Sequence, residues 1–78
     1  MDKQVVVYCD DNITERTEKI IERFTAEDMK RLKSQFRQAI ISKEERNYRF
    51  LYKGYLIVCT MREYENTIEV KVNDIYHI

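Results

Sequence analysis

Seventy-eight residues, 44% of them apolar, with one glycine and no proline, can build one small core. That excludes a second domain and an intrinsically disordered chain. Fourteen basic and fourteen acidic side chains cancel, and a pI near 6.6 is well below that of a dedicated nucleic-acid binder.

No apolar run reaches the ~20 residues of a membrane-spanning helix, so no membrane partner is expected. The start, Met1-Asp2-Lys3-Gln4-Val5, has no signal-peptide pattern, because Val5–Cys9 is short and Asp10-Asp11 follows at once. The expected location is the cytoplasm of a bacterium or a phage-infected host. Frequent Ile, Lys, Glu, Asn and Tyr match the bias of AT-rich bacterial genomes and their phages. Cys9 and Cys59 form no C-x-x-C pair and there is one histidine, which argues against a zinc site or a disulfide framework. The two are either free core thiols or a single Cys9–Cys59 bridge.

Gln4–Cys9 is β-branched and short, and reads as a buried strand ended by Asp10-Asp11-Asn12. Asn12 with Glu15 suggests a capping box that opens a first helix. Ile13, Ile20, Ile21 and Phe24 (with Thr17) share one face of it, with Glu15, Glu18 and Glu22 opposite. Thr25 and Asp28 form a second such pair, and Phe24 and Met29 stand where a hydrophobic staple sits. The helical spacing of Met29, Leu32, Phe36, Ala39 and Ile40 predicts a second helix over 26–42.

Three strands follow. Tyr48, Phe50 and Tyr52 alternate with Arg49, Leu51 and Lys53, and Lys53-Gly54 makes a two-residue hairpin turn. That turn pairs Tyr52 with Tyr55, Phe50 with Ile57 and Tyr48 with Cys59. Tyr55–Met61 is apolar on both of its period-2 faces, as befits a central strand. A turn at Glu65-Asn66 pairs Met61 with Val70, Cys59 with Val72 and Arg62 with Glu69. The expected fold is α+β, a single small domain over 1–78 with element order β-α-α-β-β-β. An antiparallel C-terminal meander is joined by the N-terminal strand, and two helices pack on one sheet face.

Catalytic signatures are lacking: no Gly-rich phosphate loop, no H-E-x-x-H and no nucleophile context. No cofactor and no metal is expected. Asp10-Asp11 could bind a divalent cation, or simply turn the chain and favour a helix N-terminus. His77 beside Tyr76 could be an acid–base pair, or exposed terminal residues.

Charge is segregated beneath the zero total. Residues 1–29 carry net −4, residues 30–53 net +6 and residues 54–78 net −2. Lys30, Lys33 and Arg37 fall on one stripe of the second helix, suited to an acidic protein surface or to phosphates. On the sheet, the face away from the helices is expected to hold Leu51, Leu56, Val58 and Ile75, rimmed by Arg49, Asn73 and Tyr64. Four neighbouring apolar side chains on an uncovered face suggest a contact surface. The expected partner-binding set is therefore Lys30, Lys33, Arg37, Arg49, Leu51, Leu56, Val58 and Ile75. The reading is a small non-enzymatic binding or inhibitor module, of the kind carried by phages and mobile elements. It would dock on a larger protein or nucleoprotein with an acidic surface, with nucleic acid or a homodimer as other possible contacts. A homo-oligomeric structural protein is a further alternative.

The order β-α-α-β-β-β, with Gly54 before the last hairpin and Tyr76-His77 near the end, resembles the RelE-type bacterial toxins. The resemblance implies ribosome-dependent mRNA cleavage, with Arg46 or Arg49 acting beside Tyr76 and His77. Gly54-Tyr55-Leu56 has no arginine where that family shows one after its Gly-x-Tyr segment. The approach to the last strand carries Asp74 rather than basic residues.

Overall fold

The computed structural model describes residues 3–78. Six elements follow in chain order: β1 (Gln4–Cys9), α1 (Glu15–Arg23), α2 (Ala26–Ala39), β2 (Arg46–Tyr52), β3 (Tyr55–Glu63) and β4 (Thr67–His77). The sheet order is β1-β4-β3-β2. The two C-terminal hairpins are antiparallel, and β1 joins the outside of β4 in parallel, with Val5 beside Ile68 and Cys9 beside Val72. A parallel neighbour needs a crossover, and α1 and α2 supply it.

Both helices cover one face. Beneath them lie Val5, Tyr52, Ile57, Cys59, Met61, Ile68, Val70, Val72 and Ile75, joined by Ile20, Leu32 and Phe36 from above. Phe36 meets Phe50 edge-on at 4.9 Å, and Phe24 contacts Tyr52 and Tyr55 in the same way, both at 5.9 Å. Such pairs add to the burial of large rings, which dominates a core this small. The helices leave an apolar crevice of about 110 Å³, floored by Ile57, Val72 and Ile75 and walled by Ile21, Met29 and Leu32.

α2 begins as its sequence suggests. Thr25 Oγ1 accepts from the Asp28 N–H at 3.1 Å, and the Asp28 carboxylate accepts from the Thr25 N–H at 3.0 Å. α1 begins two residues later than expected. Its cap is Thr14, whose hydroxyl accepts from the Thr17 N–H, not Asn12. Asp10 explains the shift: its carboxylate accepts from the Asn12 N–H and its carbonyl from the Ile13 N–H. Asp10-Asn12 is thus spent on a turn. α2 ends at Ala39, short of 42, because Ile40 is extended and the Ile41 N–H turns to the Tyr48 hydroxyl.

Lys53 (φ 48°) and Gly54 (φ 82°) both take positive φ, as a type I′ hairpin turn requires. All three pairs expected across this turn are observed. Across the second hairpin, Met61–Val70, Cys59–Val72 and Arg62–Glu69 are observed as well.

Then the register slips. Val58 stands beside Asp74 and Ile57 beside Ile75, so Asn73 is one residue too many in β4. This is a β-bulge, and beyond it every β4 side chain changes face. The reason lies in α1. β1 stops at Cys9, so β4 beyond Val72 has no strand on that side. Thr17, fully buried, fills the gap: its hydroxyl accepts from the Ile75 N–H at 3.2 Å and donates to the Asp74 carboxylate. Asp74 also accepts from the Ile75 N–H at 2.8 Å and pairs with Arg16. Among the described residues no buried side-chain nitrogen or oxygen lacks a partner.

Cys9 and Cys59 are both free thiols. They flank Val72 from opposite sides, two strand spacings or ~9.6 Å apart, beyond the ~7 Å that a disulfide spans. Burial pushes the Cys59 thiol up to about 12, which makes it an inert core residue.

Candidate interaction surface

Residues paired across strands share a face. The face turned away from the helices therefore carries Asn47, Arg49 and Leu51 from β2, and Leu56, Val58, Thr60 and Arg62 from β3. From β4 it carries Glu69, Lys71 and Tyr76, with Asn73 and Asp74 of the bulge beside Val58, and from β1 Val6 and Tyr8. Among the described residues no helix lies over it.

Leu51, Leu56, Val58 and Arg49 occupy the positions expected of them. Leu51 is 68% exposed, Arg49 is exposed, and Leu56 and Val58 are half-buried by their neighbours. Ile75 does not belong to the set. It is 1% exposed, beneath the helices beside Ile57, because the Asn73 bulge reverses its direction. Tyr76 takes its place, 44% exposed and directly beside Leu56. Leu51, Leu56 and Tyr76 so form an unbroken apolar row across β2, β3 and β4. The Arg16 guanidinium lies over the Tyr76 ring at 5.4 Å and holds its outward pose.

Next to this row the face turns polar. Asn73 donates to the Thr60 hydroxyl at 2.8 Å, and that hydroxyl donates to the Asn47 side-chain carbonyl at 3.1 Å. Asn47, Arg49, Val58 and Asn73 line a shallow concavity beside it. Farther along, Arg62 stands opposite Glu69 and its guanidinium sits 5.0 Å from the Tyr64 ring centroid. Three tyrosines, Tyr8, Tyr64 and Tyr76, are exposed, whereas Tyr48, Tyr52 and Tyr55 serve the covered side.

Lys30, Lys33 and Arg37 lie on α2, in the layer beyond the covered face of the sheet. Lys30 is exposed and Lys33 half-buried. Arg37 is engaged, its Nε donating to the Lys3 carbonyl at 3.2 Å, which ties the end of α2 to the start of β1. The basic stripe and the Leu51–Leu56–Tyr76 row are thus on opposite layers of a molecule only 19 Å through its thinnest axis. A flat partner contacts one or the other.

Two further groups of polar residues are drawn together. Asp28, 6% exposed, accepts from the Tyr52 hydroxyl at 2.6 Å and from Lys53 Nζ at 2.7 Å. Hydrogen bonds from Lys53, Tyr52 and Thr25 hold its carboxyl well below the usual 3.8, against the opposing effect of burial. This cluster pins the start of α2 to the β2–β3 turn. At Asp74, burial raises the carboxyl, but bonds from Thr17, Ile75 and Tyr76 and the charge of Arg16 outweigh it, and the net shift is downward. Both clusters have saturated partners and structural roles.

Tyr76 and His77 face opposite sides of the sheet, and the His77 ring packs edge-on against Tyr55 at 4.8 Å. Arg46 stands beside Met61, at the other end of β3 from Tyr55, which is His77's neighbour. The structure does not gather Arg46, Tyr76 and His77 around one point, and Arg49 shares the uncovered face with Tyr76 but not with His77. Asp10 is occupied with its turn, and no cluster of three His, Cys, Asp or Glu side chains suited to a metal ion occurs among the described residues. No helix among them is long and apolar enough to cross a membrane. No protein-family model matches this chain, and no characterised protein or solved structure is detectably similar to it.

Proposed function

We propose that this chain is a small non-enzymatic binding module that docks on a larger protein or nucleoprotein through the uncovered face of its sheet. The supporting observation is the row Leu51–Leu56–Tyr76, which spans three strands, lies under no helix and is rimmed by Arg49. Surface apolar residues scattered singly need no explanation, but a contiguous row beside a hydrogen-bonding patch is what an interface core and rim require. Tyrosine and arginine are the side chains that most often anchor such contacts. A module of this size acts by occluding a surface rather than by chemistry, as phage and mobile-element inhibitors do in the cytoplasm of their hosts. Lys30 and Lys33, on the opposite layer, would add charge at a second contact or steer approach.

The test is affinity capture from bacterial lysate with wild type, Leu56→Glu and Tyr76→Glu proteins. A species retained by wild type and lost from both variants is the expected result. Retention by all three would remove the face from consideration. Charge reversal at Lys30 and Lys33 should leave that capture intact and alter only its salt dependence.

A further inference from the structure

The β2 edge is open: no described residue pairs with its outer side. The type I′ turn at Lys53-Gly54 makes Tyr52 and Tyr55 a hydrogen-bonded pair, and such pairs alternate along an antiparallel ladder. Tyr52, Phe50, Tyr48 and Arg46 therefore spend their backbone groups on β3. Leu51, Arg49 and Asn47 point theirs outward, where nothing described meets them.

These are the same residues whose side chains stand on the uncovered face. An edge this long is an adhesive surface unless it is blocked. β2 has no proline and no bulge, and its register with β3 is regular throughout. The other edge differs, since α1 takes over where β1 ends.

Charge indicates the occupant. From Arg46 to Arg62 the chain contains no aspartate or glutamate. Arg46 has Glu44 and Lys53 has Asp28, but Arg49, in the middle of the edge, has no ionic partner among the described residues. A second copy paired antiparallel about Arg49 would set arginine against arginine, which disfavours that arrangement. On the covered side, an incoming strand would meet the half-buried rings of Tyr48 and Phe50, stacked 6.4 Å apart.

We infer that β2 accepts an extended partner segment as a fifth strand, with acidic side chains beside Arg49 and apolar side chains at the alternate positions beside Tyr48 and Phe50. Backbone bonds from Asn47, Arg49 and Leu51 supply affinity, and the alternation supplies selectivity. The inference rests on the binding-module reading and adds the conformation and charge pattern of what is bound.

The experiment uses the intact protein and a short capped peptide alternating valine and glutamate. Amide hydrogen exchange is read residue by residue. Bound peptide should slow exchange at Asn47, Arg49 and Leu51 and leave Tyr48 and Phe50 as they were. A backbone N-methylated peptide, or one with lysine for glutamate, should bind weakly. Arg49→Glu should lower affinity for the glutamate peptide about tenfold. Absence of binding, or binding without protection of these three amides, overturns strand addition. Protection already present in the protein alone, with a dimer mass by light scattering, overturns it in favour of a second copy. Leu56→Glu separates the two readings. Edge protection that survives in this variant, when lysate capture is lost, shows that edge and face act separately. Capture that depends on Leu56 while the edge stays open leaves the face reading standing alone.

Discussion

Asp28 illustrates how much one side chain can organise. It closes the capping box of α2, receives the buried Tyr52 hydroxyl and holds Lys53, so one carboxylate joins a helix start to a hairpin turn. Its carboxyl titrates well below 3.8 in the folded protein, so as pH falls the unfolded chain binds the proton first. Stability is then fully present above about pH 5 and declines as pH drops through 3.8 toward the folded value. Asp74 shifts in the same direction and contributes to the same acid limb. Urea midpoints measured from pH 6 down to pH 2 should fall steeply in wild type and less steeply in Asp28→Asn. Parallel curves would show that Asp28 is not the main acid-sensitive group. The Thr25–Asp28 pair was visible in the sequence as a capping box, but its link to Tyr52 was not, because those partners lie 24 residues apart in sequence.

At the scale of elements, the bulge in β4 decides which residues face outward. Ile68, Val70 and Val72 keep a spacing of two, and the next core residue, Ile75, comes after a spacing of three. That break in parity, at Asn73-Asp74, was the available signal, since both are poor strand formers. Extending the two-residue period through it puts Ile75 on the wrong face and hides Tyr76. Deleting Asn73 should remove the bulge and set Ile75 two residues after Val72, so Ile75 stays in the core and Tyr76 stays outward. Chemical denaturation should then show a loss of about 1 kcal/mol, because the bond to Thr60 goes while the buried apolar row is kept. Asn73→Ala keeps the extra residue and removes only the bond to Thr60, so about 1 kcal/mol is expected. A loss of about 2–5 kcal/mol in the deletion variant, as for loss of a buried isoleucine, would mean that Ile75 had left the core and that strand parity does not place it.

For the whole molecule, neighbouring residues in β3 serve opposite purposes. Ile57 is sealed beneath the helices, and Leu56 faces out beside Leu51 and Tyr76. Ile57→Ala should cost about 2–5 kcal/mol and shift the thermal midpoint accordingly. Leu56→Glu should change stability far less while abolishing partner capture. If Leu56→Glu proves as damaging as Ile57→Ala by calorimetry, the outer face is part of the fold rather than a free surface. The separation of the basic stripe from this face also belongs at this scale. Both were legible as local patterns, but their placement on opposite layers follows from the crossover through α1 and α2.

By itself the chain's sequence determined the order of its elements, both hairpin turns and six cross-strand pairs. These depend on short-range physics: positive-φ residues at a turn, alternation along a strand and caps at a helix start. Only the tertiary structure decided that β1 lies parallel to β4 and stops at Cys9. It also decided that Thr17 supplies the hydrogen bonds β4 then lacks, and hence that Tyr76 rather than Ile75 faces outward. Those outcomes turn on how residues more than fifty positions apart satisfy one another's backbone groups, and local periodicity carries no record of that.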